Sequence, residues 1–179
     1  KLCLGLIGGT NVNGNDQIKI LSAAGFDGFF SAWTPNIFGY RDVANALGMI
    51  YQSIHAPFSR TDKIWHGGEE ANAVRDELVQ CVEDCARLEV PILVVHPYSG
   101  VPKCEIPPQS GIDNFGIVIK RAEELGVQIA VENVSPRIGP VLDKVIFADH
   151  IHNCLSFAFK VELHLLHNAV FDIGGADDR

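Results

Sequence analysis

The chain has 179 residues, 47% of them hydrophobic and 20% charged, which is enough for one domain with a sizeable core and excludes a disordered or fibrous chain. No apolar run approaches the roughly 20 residues that span a bilayer, so no membrane partner is expected. A net charge of −8, with 14 lysines and arginines and no cluster of them, disfavours a nucleic-acid partner, which needs a broad basic surface against phosphates.

Lys1 to Gly9 is too short for the three regions of a signal peptide and reads as a first strand. It lacks an initiator Met, as in a processed or partial chain. Asn11 to Asp16 forms a turn and cap cluster. Gln17 to Ala24 then carries Ile18, Leu21 and Ala24 in helical spacing, closed by Gly25. Phe26 to Trp33 is the next strand, Thr34 to Gly39 a Pro/Gly loop, and Asp42 caps a short helix through Leu47 that Gly48 stops.

Ile50 to His55 follows as a strand, and Arg60 to Gly68 as a polar loop long enough to fold over a pocket. Glu69 to Leu88 places Ala71, Val74, Leu78, Cys81, Val82, Cys85 and Leu88 at three- and four-residue steps, an amphipathic helix. The strand ending at His96, a second polar loop from Tyr98 to Ser110 and a helix from Ile112 to Leu125 come next. Gly126 ends that helix, and the strand Val127 to Asn133, which finishes in a carboxylate and an amide, begins. Lys144 to Ala148 reads as a sixth strand.

Strands alternating with helices argue parallel strands joined by right-handed crossovers, in a barrel or an open doubly wound sheet. Two features favour a TIM-type barrel: the glycine-rich start has no G-x-G-x-x-G, and the loops after the strands are longer than the turns before them. About six strands in 179 residues fall short of the roughly 200 residues usual for eight βα units. The expectation is therefore one barrel domain over residues 1–179, incomplete, with at least one central and the final βα unit missing after residue 133.

The five cysteines, Cys3, Cys81, Cys85, Cys104 and Cys154, are odd in number and lack a metal-binding C-x-x-C, as for free thiols in a reducing cytoplasm. Cys81 and Cys85, four apart, share one helical face.

Three strands finish on chemistry: Ser53-Ile54-His55-Ala56-Pro57-Phe58, Val94-Val95-His96-Pro97 and Ala130-Val131-Glu132-Asn133. Imidazole and carboxylate are first-row metal ligands, and the strand ends of a parallel barrel are where its chemistry gathers. A lone His before Pro is commonly a turn residue or a satisfied buried imidazole. Three such endings in phase carry more weight than any one.

With His150-Ile151-His152-Asn153, the Glu162-Leu163-His164 step and the Ala23-to-Gly28 turn, these pieces resemble the xylose isomerase-like barrel family. That family contains sugar isomerases and epimerases and the endonuclease IV group. The resemblance implies a divalent metal (Mn, Mg, Co or Zn) held at successive strand ends by Glu, Asp, His and a second Glu. On that alignment Glu132 is the first ligand and the general base, and His150 is the His. Glu162 and His164 match a later D-x-H element. Asp149 with His152 can alternatively be read as D-x-x-H, which would make Asp149 a ligand.

His55 and His96 would then orient substrate hydroxyls, with Asn133 and His152 beside them and Trp33, Phe58 and Trp65 as apolar walls. The implied reaction is isomerisation or epimerisation of a sugar or sugar phosphate beside a metal-polarised carbonyl. An endonuclease-like alternative uses His55, His96 and Glu132 in a multi-zinc site that hydrolyses phosphodiesters, and the acidic charge stands against it. A third reading is a degenerate, non-catalytic barrel, whose open strand edges favour homo-oligomers.

Overall fold

The computed structural model describes residues 1–97 and 108–132. Five strands alternate with helices: β1 (Cys3–Gly5), α1 (Gly14–Ala23), β2 (Gly28–Ala32), α2 (Ile37–Leu47), β3 (Ile50–His55), α3 (Glu69–Arg87), β4 (Ile92–Val95), α4 (Gln109–Leu125) and β5 (Gln128–Val131). A short 3-10 turn, Thr61–Trp65, lies between β3 and α3. The strand order is β1-β2-β3-β4-β5, and every pairing is parallel.

That order settles the architecture. A doubly wound sheet reverses direction at a switch point, whereas here each crossover advances one strand the same way. Right-handed crossovers in one direction place all helices on one face, so the sheet is an arc of a TIM barrel. The sixth strand expected at Lys144 to Ala148 lies outside the described residues.

The helix-facing side holds the core. Ser31, Ile54, Leu93 and Ile129 stand side by side in register, and Ile54 and Leu93 are fully buried. On α3, Val74, Leu78, Cys81, Val82 and Cys85 are buried, as the three- and four-residue steps require. Cys3, Cys81 and Cys85 are free. Burial pushes the Cys85 thiol up to about 12 and raises Cys81 as well, so neither is a nucleophile near neutral pH. Gly48 and Gly126 adopt φ of 66° and 70°, the left-handed conformation that stops α2 and α4 and turns the chain into the next strand.

Two loop expectations are corrected. α2 begins at Ile37 rather than after Asp42, because Ile37 is buried at 1% exposure and anchors the first turn despite Gly39. The Arg60 to Gly68 segment is no flap: Thr61, Ile64 and Trp65 of the 3-10 turn are buried. Asn114 Nδ2 donates to the Ile64 carbonyl and Ser110 Oγ to that of Trp65, which ties the turn to α4.

Trp65 packs on Phe115 with ring centroids 5.2 Å apart. A Cβ at Gly111 would lie 2.1 Å from Trp65 Cε3 and 2.9 Å from Trp65 Cα, so the indole needs a glycine beneath it. Gly111→Ala is expected to cost about 1–3 kcal/mol through overpacking, read as a lower urea midpoint at constant m-value. An unchanged midpoint would show that the indole has room to move.

Candidate metal centre

Register places three ligating side chains together. His55 pairs with Val94, and Val94 with Ala130. His96 and Glu132 each lie two residues beyond their strand's member of that row. Side chains alternate along a strand, so all three residues fall on the face away from the helices. The ladder continues past the strand ends through Ala56 N–H to the Val94 carbonyl at 2.9 Å and Glu132 N–H to that of Val95 at 3.0 Å.

The result is a triangle of donor atoms. His55 Nε2 and His96 Nε2 are 2.8 Å apart, and Glu132 Oε2 lies 3.1 Å from the first and 3.0 Å from the second. His55 Nδ1 sits 2.7 Å from the Ala56 carbonyl oxygen. A carbonyl only accepts, so Nδ1 carries the proton and a neutral His55 presents its Nε2 lone pair to the centre.

With both imidazoles neutral, only His96 can bring a proton to the three mutual contacts. The His55–Glu132 contact then sets one lone pair against another, an arrangement that a central cation relieves. Three donor atoms spaced 2.8–3.1 Å apart can all reach one divalent ion at bond lengths of about 2.1 Å. Donor chemistry and spacing therefore both fit a divalent ion. Among the described residues this is the one group of three or more His, Cys, Asp or Glu side chains placed to hold one.

Exposure is graded across the centre. The side chains of His96, His55 and Glu132 are 9%, 26% and 52% exposed. Phe58 stacks on His96 with centroids 4.7 Å apart and meets His55 edge-on at 5.6 Å. Burial pushes the His96 imidazole below its ordinary value, against the opposing pull of its Glu132 hydrogen bond.

No protein-family model matches the chain, and no curated protein matches it by sequence. Solved structures do match. A xylose isomerase domain protein from Planctomyces limnophilus superposes with a TM-score of 0.65 at 12% identity, covering 88% of this chain and 59% of that one. A D-psicose 3-epimerase from Clostridium cellulolyticum H10, solved with D-tagatose, gives 0.63 at 13% identity over 84% and 59%. A xylose isomerase-like TIM barrel protein from Mycobacterium smegmatis, in complex with magnesium, gives 0.61 at 13% identity over 88% and 60%. The fold is that of the xylose isomerase-like TIM barrels.

At these identities the likeness is one of fold, and the chain spans about three fifths of the length of these neighbours. As in any parallel barrel of this kind, the C-terminal strand ends carry the candidate chemistry. His55, His96 and Glu132 meet there, and Phe58 stacks on His96 and touches His55 edge-on. Trp65 is buried at 6% exposure. Its indole N–H donates to the Pro97 carbonyl at 2.7 Å, which anchors the residue directly after His96.

Trp33 is partly buried and donates its indole N–H to Asp84 of α3. Asn133, Asp149, His150, His152, Glu162 and His164, expected at the site from sequence, lie outside the described residues. Sequence reasoning missed the Ala56 carbonyl that sets the His55 tautomer, since a backbone acceptor leaves no mark on residue identity. No helix among the described residues is long and apolar enough to cross a membrane.

The lowered His96 value carries a sign. Below its ordinary value of 6.5 the unfolded chain binds a proton that the folded, metal-free protein still refuses, so stability falls as pH drops through that window. Denaturation midpoints with chelator from about pH 7.5 to 5.5 should decline more steeply for wild type than for His96→Gln. Equal slopes would count against a lowered His96.

Proposed function

We propose that the protein is a metal-dependent isomerase or epimerase of sugars or sugar phosphates, with Glu132 as its proton-transferring group. The observation that carries this reading is the convergence of His55, His96 and Glu132 at three adjacent strand ends, with donor atoms 2.8–3.1 Å apart. The sugar class is supported by the neighbouring D-psicose 3-epimerase solved with D-tagatose.

When bound, a divalent ion polarises a substrate carbonyl and lowers the cost of removing the proton beside it. His55 and His96 hold the inner side of the site through their Nε2 atoms. Glu132, half exposed, is the group that reaches the substrate and takes the proton from the carbon next to the carbonyl. Phe58, 52% exposed, offers an apolar face to the C–H side of a sugar ring or chain.

Two imidazoles in the donor set favour Zn, Co or Mn over Mg. Asp149, His150, Glu162 and His164 are proposed as further ligands, and Asn133 and His152 as substrate contacts. A reducing cytoplasmic setting, in keeping with free Cys3, Cys81 and Cys85, and homo-oligomers formed through the sheet edges complete the proposal.

Metal-loaded protein in heavy water should place deuterium on a ketose or ketose phosphate at the carbon beside the carbonyl, read by mass spectrometry. The incorporation should disappear with chelator and in Glu132→Gln. No incorporation across such a panel by metal-loaded protein would overturn the proposal.

One observation favours a second reading. Both imidazoles join the carboxylate at one point, which also suits a hydrolytic zinc site of the endonuclease IV type. Two or three zinc ions per chain, with cleavage of a chromogenic phosphodiester, would support it.

A further inference from the structure

We infer that Asp84, a buried carboxylate on α3, is a positioning residue that holds His55 in place through Trp33. Asp84 is 6% exposed and faces the core side of the helix beside Cys81 and Cys85. Burying a carboxylate there is costly unless its oxygens are fully engaged. They are: Oδ2 accepts from Trp33 Nε1 at 3.0 Å, and Oδ1 accepts from Gln80 Nε2 at 3.1 Å and Arg87 at 3.3 Å. The Arg87 guanidinium in turn lies over the Phe38 ring of α2, 4.8 Å from its centroid.

Trp33 is the first residue past β2, and by alternation its indole lies on the helix side while Ala32 stays on the site side. Its backbone N–H donates to the His55 carbonyl at 2.8 Å. The same residue is therefore clamped twice, by its main chain to the residue that bears the candidate ligand and by its side chain to α3. His55 makes its own tautomer-fixing hydrogen bond to the Ala56 carbonyl, so the peptide that Trp33 restrains lies between the imidazole and the acceptor that orients it. A shift of that peptide rotates the ring nitrogen away from His96 and Glu132.

A core that needed only packing could fill this place with an apolar residue more cheaply than with a carboxylate. What the carboxylate adds is direction. It fixes the indole plane at the rim of the sheet and joins β2, α2 and α3 behind the site. The effect on metal affinity rests on the metal-centre reading proposed above, whereas the effect on His55 itself does not.

The test uses the full chain as wild type, Trp33→Phe, Asp84→Asn and Asp84→Ala. Val118→Ala, at a fully buried position of α4, serves as a destabilised control. Long-range proton–nitrogen NMR of the metal-free proteins reads the His55 tautomer and ring shifts, and Co(II) titration by absorption reads affinity. Wild type should show His55 protonated at Nδ1. Trp33→Phe and Asp84→Ala should shift the His55 signals and weaken Co(II) about tenfold. Asp84→Asn, whose amide oxygen still accepts from the indole but whose NH2 faces the Gln80 and Arg87 donors, should lose stability yet keep both readouts near wild type, and Val118→Ala should likewise lose stability while leaving both readouts unchanged.

Unshifted His55 signals in Trp33→Phe, or equal shifts in Val118→Ala, would overturn the positioning role. A wild type that binds no Co(II) yet shows the expected His55 shifts would overturn the metal-centre reading alone.

Discussion

Glu132→Gln is expected to lower affinity for a divalent ion by more than about 100-fold, beyond the range that supporting residues around a metal site give, and to leave the metal-free fold intact. The side chain is half exposed, so little packing is lost. The amide also adds an N–H that can donate to the His55 lone pair, supplying the proton that the His55–Glu132 contact lacks in the wild-type protein. Calorimetric titration with Mn or Zn, beside a thermal scan in chelator, checks both halves. Affinity retained within a few-fold would remove Glu132 from the centre, and a collapsed fold would show that its role is structural.

His55→Ala is expected to cost a comparable factor in metal affinity. From sequence, His55 and His96 read as groups that orient substrate hydroxyls, which predicts impaired turnover with the metal retained. In the structure their Nε2 atoms stand 2.8 Å apart and both touch Glu132 Oε2, which predicts loss of the metal itself. Metal content of the purified variant separates the two outcomes. Full occupancy with a raised KM would return His55 to substrate handling.

Much of the fold was legible in the sequence because parallel barrel strands are short apolar runs between amphipathic helices, and glycines such as Gly48 and Gly126 mark where helices stop. In sequence α2 looks short because Pro35, Asn36 and Gly39 resemble a loop, while what starts the helix is the burial of Ile37. The 3-10 turn was hidden likewise: Arg60, Asp62 and Lys63 are polar, yet Thr61, Ile64 and Trp65 between them are buried.

At the site, phase was legible and reach was not. His55 ends β3 while His96 and Glu132 directly follow β4 and β5, but His55 pairs with Val94 and so sits two residues short of His96. Only the fold shows that their side chains converge despite that offset. Trp33 and Trp65 are apolar walls on the family resemblance, and in the structure their indole N–H groups are engaged by Asp84 and the Pro97 carbonyl.

The most direct test of a centre built by His55, His96 and Glu132 is the divalent-ion content of the full chain, reconstituted with Mn or Zn and desalted, for wild type, His55→Ala and Glu132→Gln in parallel. About one ion per chain in wild type, lost in both variants, is the predicted result. No ion in wild type after reconstitution, or an ion kept equally by both variants, would contradict it.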